Sequence, residues 1–237
     1  MQRGYILVCL YYLIFSFLCV IILLVTIFFP FIREIMSLSW KTPWGIITSI
    51  LVHHNIEHFL LNFQAIMAFL LFYILLNMLN QEIKNNELSF CFSPFISAIL
   101  ANVLSLFIFP EYTSLGASGV SSAMEGYDFA LALIYLIINF KNIKSLIKLN
   151  KKIYIIIFDS FTITYIFLDV LFSSTYSRSS GYNSFVHWTS FFINFMITSI
   201  VFGEELLLHF LFFCSSLTIF LIRYVIKCAY FLNMSHE

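Results

Sequence analysis

Long apolar runs separated by short polar breaks dominate the sequence. A helix that crosses a bilayer needs about 20 mostly apolar residues. Seven stretches approach or exceed this length, at about residues 5–30, 57–79, 91–109, 118–139, 153–173, 185–202 and 206–226. The sixth and seventh stretches are separated only by Gly203-Glu204-Glu205. The pattern predicts an all-α polytopic membrane bundle with a six-helix core and an additional seventh helix at the C-terminal end.

The composition supports a membrane protein. Hydrophobic residues make up 61% of the 237 residues and charged residues only 10%, whereas soluble domains carry about 25% charged residues. The first apolar run is longer than the core of a signal peptide, so we expect it to remain as an anchor. No stretch is typical of a separate soluble domain, so residues 1–237 are interpreted as one membrane-embedded domain. The formal net charge of zero gives no indication of nucleic-acid binding.

Lysine and arginine residues in the predicted loops give the orientation, because cytoplasmic loops are enriched in them. The side that holds the N-terminus carries seven of them: Arg3, Lys84, Lys141, Lys144, Lys148, Lys151 and Lys152. The opposite loops carry three: Arg33, Lys41 and Arg178. The N-terminus is therefore predicted to be cytoplasmic, in a multi-pass protein of the cell membrane. The second, fourth and sixth spans then all begin at the outer face.

Polar side chains lie at the beginning of each of these three spans. His58 and Asn62 are four residues apart on the second span, Ser118 begins the fourth, and His187 is one turn into the sixth. A serine hydroxyl needs a nearby base to become a nucleophile, and neutral imidazole is the usual one. The free N–H groups at a helix start can stabilise an oxyanion. Ser118 and His187 are therefore candidate catalytic residues, and Asn62 and His58 are candidate oxyanion donors.

Each of these features also has a purely structural explanation. A serine at a helix start is a common N-cap, and a membrane histidine or asparagine can bond a neighbouring helix. Their occurrence together on one leaflet favours the catalytic interpretation. The sequence PWGIITSILVHHNIEHFLLN from Pro43 to Asn62, with Gly-Ala-Ser-Gly at 116–119 and His187, resembles the rhomboid intramembrane serine proteases over about residues 40–200.

The resemblance implies a Ser118–His187 dyad without a third carboxylate, and an oxyanion hole formed by His58, Asn62 and the Ser118 amide. It also implies membrane-anchored protein substrates that enter from the bilayer and are cleaved near the outer face. His53 matches a position where the family often has histidine, which we interpret as structural or facing the gate. No cofactor is expected, and the histidines lack the H-E-x-x-H spacing of a zinc site.

The chain departs from the family pattern at four positions. Two small residues usually follow the histidine of the sixth span, and here these positions are Ser190 and Asn194, whose bulkier amide needs a partner. The aromatic residue that often lies four positions after the nucleophile is Ser122. The Trp-Arg pair of the first loop is here Trp44-Gly45.

Two alternatives stay open at the level of sequence. One is a catalytically inactive relative that binds transmembrane helices. The other is a small transporter or channel that uses the acidic residues predicted within the spans: Glu125, Asp128, Asp159 and Asp169. The segment Phe31–Asn55 is too polar to cross the membrane and too apolar for a free loop, which predicts a loop partly immersed in the bilayer.

Overall fold

The protein is described here by a computed structural model that covers residues 2–80, 86–110, 113–141, 155, 157–165 and 181–203. Its helices are α1 (Gln2–Phe28), α2 (Pro30–Met36), α3 (Gly45–Thr48), α4 (Ile56–Asn80), α5 (Glu87–Ile108), α6 (Ser118–Lys141), α7 (described over 157–165) and α8 (Gly181–Phe202). A 3-10 turn, Ser49–Leu51, lies between α3 and α4. Within these ranges, pairing between extended segments is limited to two isolated bridges.

Five of the described helices are long and apolar enough to cross a membrane: α1, α4, α5, α6 and α8. The prediction of an all-α polytopic bundle is confirmed. The fifth predicted span, 153–173, is described only at residues 155 and 157–165. Three further predictions lie outside the described residues: the seventh span, the lysine-rich loop that follows Lys141, and the position of Asp169.

Helix α6 is the centre of the bundle. It packs against α4, α5 and α8. Of the 18 consecutive residues that form its most apolar stretch, 67% are buried. Its core-facing residues recur every three or four positions, as one face of a helix requires: Val120, Met124, Tyr127, Leu131 and Tyr135. Phe90 of α5 and Tyr73 of α4 stack beside this face with ring centroids 3.9 Å apart. The helix that begins at Ser118 is therefore the one with the most extensive contacts in the described bundle.

Small residues allow α6 and α8 to approach closely. They recur along one face of α6 as Gly119, Ala123, Gly126 and Ala130. A Cβ atom on Gly126 would collide with the carbonyl oxygen of Phe191 on α8. Close backbone approach at small residues is a general mode of helix packing in membranes. Small residues on α6 thus accompany the one small residue, Ser190, that α8 keeps at the two family positions.

Asn194 finds its partner in this interface. Its side-chain Nδ2 donates a 2.7 Å hydrogen bond to the carbonyl oxygen of Ala123 on α6, and the residue is fully buried. The larger side chain is thus accommodated as a polar link between α6 and α8. The interface combines this link with the tight contact at Gly126.

The segment between α1 and α4 is anchored on α5. The Trp40 indole donates a 2.9 Å hydrogen bond to the Leu106 carbonyl. The Asn102 amide donates to the Ile46 carbonyl at 3.0 Å and to the Ser49 hydroxyl at 3.2 Å. The helices of this segment have seven residues or fewer, too short to cross a bilayer. Its exposed apolar side chains include Phe31, Trp44 and Ile47, as expected for a loop immersed at the membrane surface.

Gly45 marks a crossing of two backbone segments within this loop. A Cβ atom on Gly45 would collide with the carbonyl oxygen of Ser37 and lie 2.6 Å from Cα of Leu38. This contact explains why the chain has glycine where the family often has arginine after the tryptophan. Any side chain at position 45 requires a different course for residues 37 and 38.

A hydrogen-bonded polar cluster lies at the end of the bundle far from Ser118. Asn77 Oδ1 accepts hydrogen bonds from the Asn86 amide at 2.6 Å and from the Tyr135 hydroxyl at 2.8 Å. The Tyr73 hydroxyl donates to Asn86 Oδ1 at 2.7 Å. We call this end, where α4 and α6 finish and α5 begins, the Asn77 end. The opposite end, where α6 begins, is the Ser118 end.

A second group of side chains joins α7 to the Asn77 end. The Asn80 amide donates to Asp159 Oδ1 at 3.2 Å. Asn139 donates to Asn80 Oδ1 at 2.8 Å and, over a longer 3.5 Å, to Asp159 Oδ2. Asp159 is thus held by amides from α4 and α6 and has a structural explanation.

Candidate active site

Helix α4 begins with a side-chain cap that orients His58. Asn55 Oδ1 accepts a 2.7 Å hydrogen bond from the backbone N–H of His58, the usual function of an asparagine before a helix. His58 and Asn62 then lie one turn apart on the same face of α4. Asn62 is buried, and its Nδ2 has no hydrogen-bond partner within the described part of the chain. This amide is a buried donor available to a ligand.

Gly116 brings this face of α4 together with the turn before α6. Its φ of 117° lies in the region that favours glycine. A Cβ atom at this position would lie 2.7 Å from Cε1 of His58 and 3.3 Å from Nδ2 of Asn62. The Gly116 N–H is fixed by the Ser49 carbonyl at 2.8 Å. Glycine is therefore needed here both for the backbone conformation and for the space that the two side chains occupy.

Ser118 is the first residue of α6. The Ala117 carbonyl accepts hydrogen bonds from the N–H groups of Val120 and Ser121, both at 3.0 Å. The Ser118 side chain is half-buried. The N–H groups of the first helical turn have no intrahelical partners, so the amides of Ser118 and Gly119 can bind an anionic oxygen.

His53 holds the turn on its other side. The Ala117 N–H donates to Nε2 of His53 over 3.4 Å, and the His53 ring lies edge-on to His58 with centroids 5.4 Å apart. The pKa of His53 is lowered to about 4, mainly by burial and also by nearby His58, while a hydrogen bond to the Leu51 carbonyl acts in the opposite direction. His53 is thus neutral near pH 7 and accepts at Nε2. The sequence allowed a structural role for His53 but gave no sign of its partner, Ala117.

His187 approaches this region on α8. Its neighbours Val186 and Ser190 contact α6, since a Cβ atom on Gly119 would lie 3.5 Å from Val186 Cγ1 and 3.3 Å from Ser190 Oγ. His187 precedes Ser190 by one helical turn and lies within electrostatic range of His58. The described contacts do not include a hydrogen bond between the Ser118 hydroxyl and the His187 imidazole. Such bonds are often long without substrate.

Two acidic residues lie deeper on α6. Glu125 and Asp128 are both buried, and neither oxygen of Asp128 has a hydrogen-bond partner within the described ranges. They follow Ser118 by two and three helical turns, so they lie roughly 10 to 15 Å further along the helix. Neither residue reaches the turn that carries Ser118.

Comparison with protein families identifies the chain. A family model described as the rhomboid domain matches residues 41–201, which include His58, Asn62, Ser118 and His187. No match was found among curated proteins or among solved structures. The matched region covers more than half of the chain, so this protein belongs to the rhomboid family, whose members are generally intramembrane serine proteases that act on transmembrane substrates.

Proposed function

We propose that this protein is an intramembrane serine endopeptidase that cleaves membrane-anchored proteins with Ser118 as nucleophile and His187 as base. One observation carries the proposal: at Gly116, the side chains of His58 and Asn62 lie against the turn that presents Ser118. These residues come from stretches more than 50 positions apart in the sequence. Their convergence gives the start of α6 the donors that acyl transfer requires.

The first step is attack on the substrate carbonyl. His187 takes the proton of the Ser118 hydroxyl as its oxygen forms a bond to the carbonyl carbon. The packing of Val186 and Ser190 against Gly119 supports this pairing, because it directs this part of α8 toward the start of α6. The carbonyl oxygen becomes an oxyanion.

The oxyanion is stabilised by donors from two helices. The Ser118 amide lies at the start of α6, where the helix dipole favours negative charge. The Asn62 amide and the His58 imidazole approach from α4. The unpartnered Nδ2 of Asn62 supports this role, since a buried donor without a partner is costly unless a ligand uses it.

Collapse of the tetrahedral intermediate releases the amine product. His187 returns the proton to the leaving nitrogen as the C–N bond breaks and the acyl–Ser118 ester remains. His187 then takes a proton from water as the water oxygen attacks the ester carbonyl carbon. When the Oγ–C bond breaks, His187 returns this proton to Ser118 Oγ, which releases the acid product and the free hydroxyl. Ser122, half-buried one turn after Ser118, is proposed to line the space that holds this water.

The site is proposed to face the outer leaflet of the cell membrane. The lysine-rich segment after Lys141 and the N-terminus are then cytoplasmic, and residues 1–237 act as a single membrane-embedded domain. Substrates enter laterally as transmembrane helices. Their scissile segment must be extended, so small or helix-breaking residues are expected near the cut.

An inactive relative that binds transmembrane helices is the second candidate. The observation in its favour is that the described contacts contain no Ser118–His187 hydrogen bond. Ser122 in place of the family's aromatic residue also leaves the His187 ring without that stacking partner.

Purified protein in proteoliposomes tests the two candidates. The substrate is a single-pass protein with small residues at its outer juxtamembrane edge, and wild type is compared with Ser118→Ala and His187→Ala. Cleavage by wild type alone supports the proposal. Equal cleavage in all three samples indicates a contaminant and contradicts the assignment. If nothing is cleaved but the substrate co-purifies, the protein is the inactive relative.

A further inference from the structure

An open cavity lies beside the first loop at the Ser118 end. Its volume is about 430 Å³, within the range of small-ligand sites. It is formed where α2, the turn after it, the segment before α4 and the segment before α6 meet. The side chains that matter for its chemistry are Arg33, Glu34, Lys41 and His54.

The cavity has an excess of positive charge. Arg33 and Lys41 carry permanent cations, and Glu34 is the one carboxylate among the lining residues. Within the described part of the chain, Arg33 and Lys41 form no ion pair with a carboxylate. The Arg33 guanidinium donates one hydrogen bond, to the His54 carbonyl at 3.2 Å, and its other donors are available.

Three of the four hydroxyl groups that line the cavity, those of Ser37, Ser39 and Thr42, already donate within the protein. Thr42 Oγ1 donates to the Ser37 carbonyl at 2.6 Å, so the 2.7 Å contact between the Ser39 and Thr42 hydroxyls is a bond donated by Ser39. These hydroxyls have no further proton to offer. The Thr113 hydroxyl and the His54 imidazole also line the cavity. The charged donors are those of Arg33 and Lys41, which favour an anion such as a phosphate group.

The position of the cavity indicates where the anion comes from. Ile35 lines it and is 47% exposed, and the Trp44 indole donates to the Ile35 carbonyl at 2.7 Å. Trp44, Phe31 and Ile47 form exposed apolar surface next to it. Tryptophan is enriched in membrane proteins at the level of the lipid headgroups. The cavity therefore opens at the depth of lipid phosphates.

We propose that this cavity binds a phosphate group, held by Arg33 and Lys41, and that the phosphate belongs to a lipid headgroup of the outer leaflet. The site is independent of proteolysis. It nevertheless adjoins the active-site turn, because Leu115 lines the cavity and Ser114 exchanges backbone hydrogen bonds with Leu38 at 2.9 and 3.2 Å. An occupant thus contacts the segment that leads to Gly116.

Calorimetric titration of the delipidated full-length protein in a non-ionic detergent tests the site. The probes are dihexanoylphosphatidylglycerol, inorganic phosphate and uncharged dihexanoylglycerol. The double variant Arg33→Gln/Lys41→Gln should weaken binding of the phospholipid about tenfold or more, since it removes two charge-assisted contacts. Lys141→Gln, at the other end of α6, is the matched control and should change affinity less than about twofold.

The outcomes separate the sources of phosphate. Selective binding of the phospholipid, lost in the double variant, supports the headgroup site. Equal affinity for inorganic phosphate, with the same loss, supports the phosphate site and overturns the lipid source. Undiminished binding in the double variant, or equal binding of dihexanoylglycerol, overturns the proposal. Gel filtration checks the fold, and the single variant Lys41→Gln, at an exposed position, repeats the test if the double variant aggregates.

Discussion

The two ends of the bundle differ in how far their buried polar side chains are hydrogen-bonded within the protein. At the Asn77 end, the amide of Asn77 donates to a backbone carbonyl while its oxygen accepts from Asn86 and Tyr135. At the Ser118 end, Asn62 Nδ2 and Ser190 Oγ have no hydrogen-bond partners among the described residues. Both ends are rich in asparagine, yet only one is internally satisfied.

This difference separates structural from functional polar residues. An unsatisfied buried donor costs about 1–3 kcal/mol, and at Asn62 the oxyanion of the proposed reaction would supply the missing partner. A satisfied amide network, in contrast, stabilises the packing of its helices. The comparison predicts that substitutions at the two ends have opposite effects on activity and stability.

The sharpest test exchanges one asparagine at each end for alanine. Asn62→Ala should lower turnover about 10²–10³-fold, because one oxyanion donor is lost, with a change in unfolding free energy below about 1 kcal/mol. Asn77→Ala should lower the unfolding free energy by about 3 kcal/mol, because it removes the oxygen that accepts from Asn86 and Tyr135. Cleavage in proteoliposomes and SDS titration in mixed micelles measure the two quantities. Unchanged turnover in Asn62→Ala would remove Asn62 from the proposed oxyanion hole.

Lowering the pH should reduce the unfolding free energy, because His53 at the Ser118 end becomes protonated on unfolding. Its pKa is lowered to about 4 in the folded protein from about 6.5 unfolded, so between these values the unfolded state binds the extra proton. The unfolding free energy is therefore unaffected by His53 above about pH 6.5, and it falls by about 3 kcal/mol as the pH drops to 4. Unfolding is measured across this range for wild type and for His53→Gln, which keeps an acceptor but does not titrate. Equal pH dependence in the two proteins would contradict this role for His53.

Closer packing between α6 and α8 should be costly at Gly126 and inexpensive at Gly119. The Cβ of Gly126→Ala collides with the Phe191 carbonyl, so α8 must shift. This shift should lower the unfolding free energy by about 2 kcal/mol. The Cβ of Gly119→Ala meets side-chain atoms at 3.3 Å or more and should cost under about 1 kcal/mol. SDS titration of both variants gives the comparison. Equal losses would mean that α8 adjusts freely along its length.

The smallest effect is expected for the link between the two helices. Asn194→Ala removes the hydrogen bond to the Ala123 carbonyl and should lower the unfolding free energy by about 0.6 to 1.7 kcal/mol, the range for hydrogen bonds between membrane helices. Because α8 carries His187, the activation free energy of cleavage should rise by a similar or smaller amount, which lowers turnover. A loss above about 3 kcal/mol would show that Asn194 does more than join the helices.

Hydropathy predicted the spanning helices closely because the bilayer itself sets their length. The predicted span 57–79 became α4, Ile56–Asn80, and the span 118–139 became α6, which begins at Ser118 as predicted. The ends differ by a few residues where polar groups such as Asn80 continue the helix by bonding one another. Periodicity describes apolar surface and does not reveal such pairings.

The sequence named the candidate site residues but not the contacts that hold them. Nothing in the sequence assigned Ala123 as the partner of Asn194 or Ala117 as the partner of His53, because both partners are backbone groups of ordinary residues. The spacing of Gly119, Ala123 and Gly126 was a readable signal for close packing, and it explains how α8 approaches α6 although Asn194 replaces a small residue. The pairing of Ser118 with His187 stays a prediction.

The crossing at Gly45 has an evolutionary consequence. Because residue 45 leaves no room for a side chain beneath residues 37 and 38, the two segments can change only together. Replacing Gly45 alone with the family's arginine should displace Leu38. Ser114 pairs with Leu38 in an antiparallel bridge four residues before Ser118, so it should be displaced as well. We expect the two segments to covary among relatives of this chain. A hybrid enzyme should therefore exchange residues 37–45 as one block.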